Sequence, residues 1–210
     1  MNGGMNMALN HKCKTVRAGG ASKEENSQLL YHGSTEKGLA ELKPCVSDHG
    51  KAYVYLTDNI VIAAFYTVRP VERPFMWYPY GFMGDVPSYT EYYPEAMADV
   101  YKGKSGYIYE CESPAETVNP THIKCAYLSA ETVKVHSVMV INDMYEWIAE
   151  CEKSGEVIIQ RYKDLSPGQL EFAHNMVKNE IIKYELKNKP ESGYTRFLKE
   201  KFAEVWNSIK

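Results

Sequence analysis

Two groups of residues in this sequence have the types and spacing to do chemistry together. His32-Gly33-Ser34 closes a short apolar run, and Tyr55 and Tyr66 bracket a second hydrophobic segment. Glycine has no side chain, so its backbone can approach a ligand closely, and tyrosine rings stack on flat aromatic groups. The pattern therefore predicts a cleft that is floored by backbone, walled by the two tyrosines, and suited to a flat aromatic ligand.

Two strands and a helix are expected to position these groups. Residues 29–31 are apolar and predict a strand that ends at His32, and the alternating residues 53–56 predict a second strand. A helix should follow, with Thr57 as its N-cap and the Asp58 carboxylate at the positive end of the helix dipole. Four residues carry its helical periodicity: Ile60, Ala63, Ala64 and Thr67.

Taken in order, these pieces resemble the NAD-binding half of ADP-ribosyltransferases of the poly(ADP-ribose) polymerase and diphtheria-toxin type. That family has a strand ending in His-Gly-Ser/Thr, a Gly-Lys segment leading to Tyr-x-x-Asp, and a helix that ends in a second tyrosine. Here these pieces are His32-Gly33-Ser34, residues 50–58 and Tyr66. The strings YHGS and YVYLT are also similar to those of small bacterial rifampin ADP-ribosyltransferases. The likeness covers residues 29–141.

The resemblance implies that NAD is the substrate and that the nicotinamide–ribose bond is broken through an oxocarbenium-like transition state. It implies that the Gly33 backbone pairs with the nicotinamide carboxamide, while Ser34 reaches the same amide or the ribose. Tyr55 and Tyr66 would sandwich the nicotinamide ring, and His32 would hydrogen-bond a ribose hydroxyl without acting as a base. The NAD-binding residues implied in this way are His32, Gly33, Ser34, Tyr55 and Tyr66.

The resemblance also implies a carboxylate. In the family it sits at the start of a late strand, and the stretch SAETVKV matches that setting, with Glu131 between a polar turn and alternating β residues. Glu131 would bind the ribose 2′-hydroxyl, stabilise the oxocarbenium ion and polarise the acceptor. Glu112 and Glu116 remain alternatives, because the rifampin enzymes use a carboxylate placed differently. The implied catalytic residues are Glu131, His32 and Tyr55.

The chain departs from the family in two respects. His32 and Tyr55 are closer in sequence than in poly(ADP-ribose) polymerases, so the contacts to adenosine are expected to differ. The C-terminal third, from about residue 142, has no counterpart in the family. The acceptor therefore stays open among a protein side chain, a small molecule, a nucleic-acid base and water, and a protein or a small molecule is expected.

The elements along the chain predict an α+β fold with mainly antiparallel sheets, because short strands and helices do not alternate strictly. The resemblance narrows this to the split sheets of ADP-ribosyltransferases, with flanking helices and a helical C-terminal extension. Further strands are predicted at 107–112, 124–128, 132–141 and 157–162. Further helices are predicted at 35–42, 94–101, 144–151, 166–184 and 197–209.

Residues 69–93 contain four prolines and many aromatic residues, which predicts a long structured loop. This loop either packs its aromatic rings on the domain surface or forms a lid over the cleft. The predicted organisation has three parts: a flexible N-terminal segment (1–27), an NAD-binding core (28–141), and a mostly helical extension packed on the core (142–210).

The composition is that of a globular protein with a buried core: 210 residues, 44% hydrophobic and 24% charged. A net charge of −3 argues against a nucleic-acid surface as the main function.

No apolar run approaches the length of about 18 residues that a membrane span needs, so a cytoplasmic protein without a membrane partner is expected. Five cysteines and six histidines are dispersed without metal-ligand spacing, which predicts free thiols and no metal site.

Two other functions are compatible with the resemblance. One is a binding module that kept the fold and lost the chemistry. The other is an RNA 2′-phosphotransferase, which also uses NAD and should carry cationic side chains around the cleft for a phosphate. Near the motifs the sequence offers only Lys37, Lys43 and Lys51, which ranks this alternative below the other two.

Overall fold

The computed structural model describes residues 29–46, 50–68 and 80–209. The predicted flexible segment 1–27 lies outside these ranges, as does the part of the predicted aromatic loop from 69 to 79. The strands, in chain order, are β1 (Leu30–Ser34), β2 (Glu41–Leu42), β3 (Cys45–Val46), β4 (Ala52–Thr57), β5 (Tyr80–Met83), β6 (Val86–Thr90), β7 (Gly106–Cys111), β8 (Ala126–Ser129), β9 (Val133–Ile141) and β10 (Ile158–Gln160).

Helices lie between and after these strands. A single turn of 3-10 helix follows β10 at Tyr162–Asp164, and another lies at Leu186–Asn188. The α-helices, in chain order, are α1 (Ile60–Phe65), α2 (Ala96–Tyr101), α3 (Met144–Lys153), α4 (Pro167–Lys183), α5 (Gly193–Lys201) and α6 (Ala203–Ser208).

The strands form a seven-stranded sheet and a three-stranded sheet. The larger sheet has the order β2-β9-β7-β1-β4-β3, with β8 also paired to β4, and its pairings are antiparallel. The smaller sheet has the order β10-β6-β5, in which β6 pairs antiparallel with β5 and parallel with β10. The prediction of an α+β fold with mainly antiparallel sheets is therefore confirmed.

Three clusters of buried side chains stabilise this arrangement. The largest joins α1, α2 and α3 to β7 and the small sheet, and it is centred on Phe65, Ile108 and Ile148. Complete burial of such a side chain contributes about 1.5–3 kcal/mol to folding. A second cluster lies among α4, α5, α6 and the start of α2, and a third lies between β1, β4, β7 and β9. The first cluster thus draws on elements from both sides of residue 141.

The predicted helix at 35–42 is wrong. Residues 41–42 form β2, which pairs with β9 through Leu42 and Val133. Gly38 adopts a left-handed backbone (φ 78°), which interrupts a helix. The tertiary pairing with β9, together with burial of Leu42, overrides the weak periodicity on which the helix was predicted.

The predicted loop over 69–93 is wrong in its second half. Residues 80–90 form the hairpin of β5 and β6, which turns at Gly84 and Asp85. Pro87 argued against a strand, but it lies at the start of β6, before the residues Ser88 to Thr90 that pair with β10. Proline is tolerated there, because β6 has a strand partner on only one side at that residue.

Two helix ends also differ from the predictions. The N-cap of α1 is Asn59, whose side chain accepts hydrogen bonds from Val61 N (3.0 Å) and Ile62 N (3.2 Å). Thr57 is instead the last residue of β4. The single predicted helix at 197–209 is two helices that meet at Phe202, where the backbone leaves helical geometry (φ −131°, ψ 46°).

Candidate functional site

The larger sheet opens beside the His32-Gly33-Ser34 motif. β1 pairs with β7 along its whole length, from Leu30 to Ser34. Within the described residues, the pairing of β1 with β4 is limited to Tyr31 and Thr57. The pairing of β1 with β4 therefore ends after Tyr31, and we call the region between these two strands beside the motif the cleft.

His32 bridges this cleft. Its ring atom Nδ1 lies 2.9 Å from the backbone oxygen of Tyr55 on β4. A carbonyl oxygen can only accept, so Nδ1 carries the hydrogen, and in the neutral imidazole Nε2 is then an acceptor. The bond thus fixes both the orientation and the tautomer of His32, and it gives the side chain an acceptor that suits a hydroxyl group.

Gly33 lies directly under α1. A Cβ built on Gly33 would meet the backbone oxygen of Ala63 at 1.8 Å and the backbone nitrogen of Thr67 at 3.3 Å. These are backbone atoms, which cannot move aside as a flexible side chain would. Glycine is therefore required here for the end of α1 to pack on β1, and the same packing brings Tyr66, the residue before Thr67, to the motif.

Ser34 ends β1 with a buried side chain. Its Oγ accepts a hydrogen bond from the backbone nitrogen of Glu36 at 3.1 Å, which closes the turn after the strand. A hydroxyl that accepts one hydrogen bond can still donate its own hydrogen. Ser34 therefore has the chemistry to donate to a ligand oxygen.

The two predicted stacking tyrosines lie on different elements. Tyr55 is half-buried on β4, with its ring edge-to-face to that of Tyr53 (centroids 6.5 Å apart, planes at 87°). Tyr66 follows α1 and is 39% exposed. Its hydroxyl lies 2.7 Å from that of Tyr80, and the two rings are edge-to-face at 5.8 Å.

The predicted carboxylates are less closely tied to the cleft. Glu131 is exposed in the turn between β8 and β9, where its backbone nitrogen donates to Ser129 Oγ at 3.1 Å. Leu128 pairs with Tyr55 and Ser129 with Val54, so Glu131 lies in the turn two residues beyond the end of this pairing. Glu112 and Glu116 are exposed in the segment after β7. The structure thus brings the five predicted NAD-binding residues to β1, β4 and the end of α1, and leaves all three glutamates on surface turns.

Asp58 has a role that the sequence did not predict. Its carboxylate accepts a hydrogen bond from the hydroxyl of Tyr127 on β8 at 3.0 Å. Burial, together with hydrogen bonding and charge from Asp58, raises the pKa of the Cys125 thiol to about 11. Asp58 thus joins the start of α1 to β8, whereas its place before the helix suggested only an interaction with the helix dipole.

Tyr80 was the other residue that sequence reasoning missed. It was counted among the aromatic residues of a loop, and nothing in its sequence neighbourhood indicates a bond to Tyr66.

No cluster of three or more potential metal-ligating side chains occurs among the residues of the described ranges. The helices in those ranges are all too short or too polar to cross a bilayer.

Comparison with known proteins gives no match: no protein-family model, no curated protein and no solved structure matches this chain. Function is therefore inferred from the residues of the cleft and from the motif resemblance.

Proposed function

We propose that this chain is an NAD-dependent ADP-ribosyltransferase that breaks the nicotinamide–ribose bond and transfers ADP-ribose to a protein or small-molecule acceptor. The observation that carries the proposal is the hydrogen bond between His32 Nδ1 and the Tyr55 carbonyl across the opened strands. It joins the histidine of one motif to the tyrosine of another, at the point where the sheet opens. The ADP-ribosyltransferase type of split sheet is part of this proposal.

In the proposed reaction, the C1′–N bond of the nicotinamide riboside breaks and its electron pair goes to the nicotinamide ring, which leaves as a neutral molecule. The positive charge that develops on the ribose is oxocarbenium-like and is stabilised by a nearby carboxylate. An acceptor nucleophile then bonds to C1′ and gives up its proton. NAD is a substrate in this scheme, since its ADP-ribose is consumed.

The residues of the cleft fit the binding half of this reaction. His32 Nε2, an acceptor in the neutral imidazole, would receive a hydrogen bond from a ribose hydroxyl. The backbone of Gly33 would pair with the carboxamide, and Ser34 would donate to the same amide or to the ribose. Tyr55 and Tyr66 would contact the two faces of the nicotinamide ring, each stacking contact being worth about 0.5–1.5 kcal/mol.

Glu131 is the carboxylate that we assign to the charge-stabilising role. Its exposed position in the turn after β8 means that it would have to turn toward the cleft when NAD is bound. The substitution Glu131→Gln keeps the size of the side chain and removes its charge. We expect nicotinamide release to fall by about 10²–10³-fold, as when one transition-state contact is removed, with little change in NAD affinity.

The experiment measures nicotinamide release from NAD by the wild type, Glu131→Gln, Glu112→Gln and Glu116→Gln, with NAD affinity measured by calorimetry on the same samples. The last two variants are matched controls, because they remove the same charge from other exposed turns. Wild-type turnover by Glu131→Gln would refute the assignment of Glu131. Loss of turnover in one control alone would move the carboxylate to that residue.

A binding module without chemistry is the second candidate function. The observation that favours it is the exposure of Glu131, Glu112 and Glu116, since a carboxylate that stabilises a transition state usually acts where water is excluded. A module of this kind would bind NAD and release no nicotinamide with any acceptor. If the wild type binds NAD and then releases nicotinamide, a binding module without chemistry is excluded.

A further inference from the structure

Tyr80 connects the small sheet to the exposed tyrosine of the cleft. It is the first residue of β5, and its hydroxyl lies 2.7 Å from the Tyr66 hydroxyl. The two rings also meet edge-to-face, with centroids 5.8 Å apart and planes at 78°. Tyr66 is 39% exposed and lies just beyond the end of α1, so the contact with Tyr80 restricts a partly exposed side chain.

Tyr80 is itself held firmly. Its ring stacks on that of Phe65 (centroids 5.8 Å apart, planes at 28°), and Phe65 is completely buried. In the hairpin, Tyr80 pairs with Tyr89, whose ring lies 5.6 Å from Phe65. Burial raises the pKa of Tyr80, so its hydroxyl keeps its hydrogen at neutral pH. The bond between the two tyrosines therefore involves one hydroxyl, that of Tyr80, which the core holds in place.

We propose that Tyr80 is a positioning residue, whose hydroxyl holds the ring of Tyr66 in the plane in which it stacks on nicotinamide. The inference rests on the proposed function, since it assumes that Tyr66 contacts NAD. Stacking is favourable only within a limited range of ring orientations, and a ring that is already oriented loses less entropy when the ligand binds. Tyr80 would thus raise NAD affinity without contacting NAD.

Through the contact of Tyr80 with Tyr66, the small sheet would take part in substrate binding. β5 is held by β6, and β6 is held in turn by β10 from the C-terminal third. The orientation of Tyr66 therefore depends on residues that follow the stretch resembling ADP-ribosyltransferases.

The test compares Tyr80→Phe, Tyr66→Phe and the double variant, which remove one or both hydroxyls and keep every ring. A typical hydrogen bond is worth about 1 kcal/mol, so each single variant should weaken NAD binding about 3–10-fold in calorimetry. The double variant should weaken it no further than the singles do, because both remove the same bond. In Tyr80→Phe, the rate constant for nicotinamide release at saturating NAD should stay within about twofold of the wild type.

Tyr92→Phe is the matched control. It also removes a tyrosine hydroxyl near the end of β6, and its ring lies against that of Phe172 on α4. NAD affinity should be unchanged in this variant. A merely structural role of Tyr80 would lower thermal stability in Tyr80→Phe and Tyr92→Phe alike, without a selective effect on NAD binding.

Two outcomes would overturn the inference, and they can be told apart. If the wild type binds NAD and both Tyr80→Phe and Tyr66→Phe bind it equally well, the positioning role is wrong and the proposed function stands. If the wild type itself shows no NAD binding, the proposed function and the positioning role fall together.

Discussion

At the scale of single residues, the most constrained position of the cleft is Gly33. The Cβ of Gly33→Ala would lie 1.8 Å from the Ala63 oxygen, so α1 would have to move away from β1. Overpacking of this kind costs about 1–3 kcal/mol or more, and we expect a free energy of unfolding lowered by at least that amount in urea denaturation. NAD affinity should fall as well, because the end of α1 carries Tyr66.

Gly168 provides the control for this substitution. It lies in the first turn of α4, and a Cβ there would meet no atom within 4 Å. Gly168→Ala should therefore raise the free energy of unfolding by about 0.4–1 kcal/mol, because alanine reduces the entropy of the unfolded chain. If Gly33→Ala were as stable as Gly168→Ala, the packing of α1 on β1 would be looser than described.

Tyr89 and Tyr101 form a second matched pair. Tyr89 is completely buried, and its hydroxyl has no hydrogen-bond partner among the described residues. The Tyr101 hydroxyl is equally buried but donates to the backbone oxygen of Phe65 at 2.9 Å. A buried polar group without a partner costs about 1–3 kcal/mol. We expect Tyr89→Phe to raise the free energy of unfolding and Tyr101→Phe to lower it by about 1–2 kcal/mol, measured by thermal and urea denaturation.

The signs of the two changes in the free energy of unfolding decide this prediction. Equal destabilisation by Tyr89→Phe and Tyr101→Phe would mean that the Tyr89 hydroxyl has a partner in the folded protein.

At the scale of elements, the sequence was most informative where a helix or strand carried its own signals. α4 was predicted at 166–184, and the structure shows a capping box between Ser166 and Gln169 with Pro167 in the first turn. α3 was predicted at 144–151, and it buries Met144, Ile148 and Cys151 while Trp147 is partly buried. Both helices depend on local chemistry and helical spacing, which a single sequence contains.

The predictions failed where a distant partner decides the structure. β2 has only two residues and exists because β9 pairs with it, and β6 is completed by β10. Such pairings leave no signal within a short window, so a helix and a loop were predicted in their place. The N-cap of α1 is Asn59 and not the predicted Thr57. β4 continues to Thr57, and strand pairing competes with capping at that residue.

In the candidate site, too, local motifs could be predicted and contacts between distant elements could not. The motif residues of β1 and β4 were recognisable, and the structure places them on both sides of one opening. The contact of Tyr80 with Tyr66 and that of Asp58 with Tyr127 were not predictable, because both join side chains from elements that meet only in the folded protein. The position of the carboxylate was predicted from a sequence setting alone, and it stays a prediction.

At the scale of the whole molecule, the largest buried cluster crosses the predicted boundary at residue 141. Met144 and Ile148 of α3 and Ile159 of β10 pack with α1, the helix that precedes Tyr66. A chain ending at residue 141 would lose these side chains from the cluster, and each is worth about 1.5–3 kcal/mol. We expect the fragment 1–141 to show no cooperative thermal transition by circular dichroism.

The fragment 1–165 is the control for this truncation. It keeps α3 and β10 and loses α4, α5 and α6, which cover Tyr93 and Ala96. We expect a cooperative transition at a temperature below that of the full chain. A cooperative transition in 1–141 at the temperature of the full chain would show instead that residues 28–141 fold on their own.

The parallel pairing of β10 with β6 also has a consequence for the order of events during synthesis. β1, β4 and α1 leave the ribosome early, and the partners that form the cleft all lie before residue 112. β6 receives its second neighbour only after Gln160 has emerged. We therefore expect the His32 bridge to become stable only after β10 has emerged, although every strand around His32 is synthesised earlier.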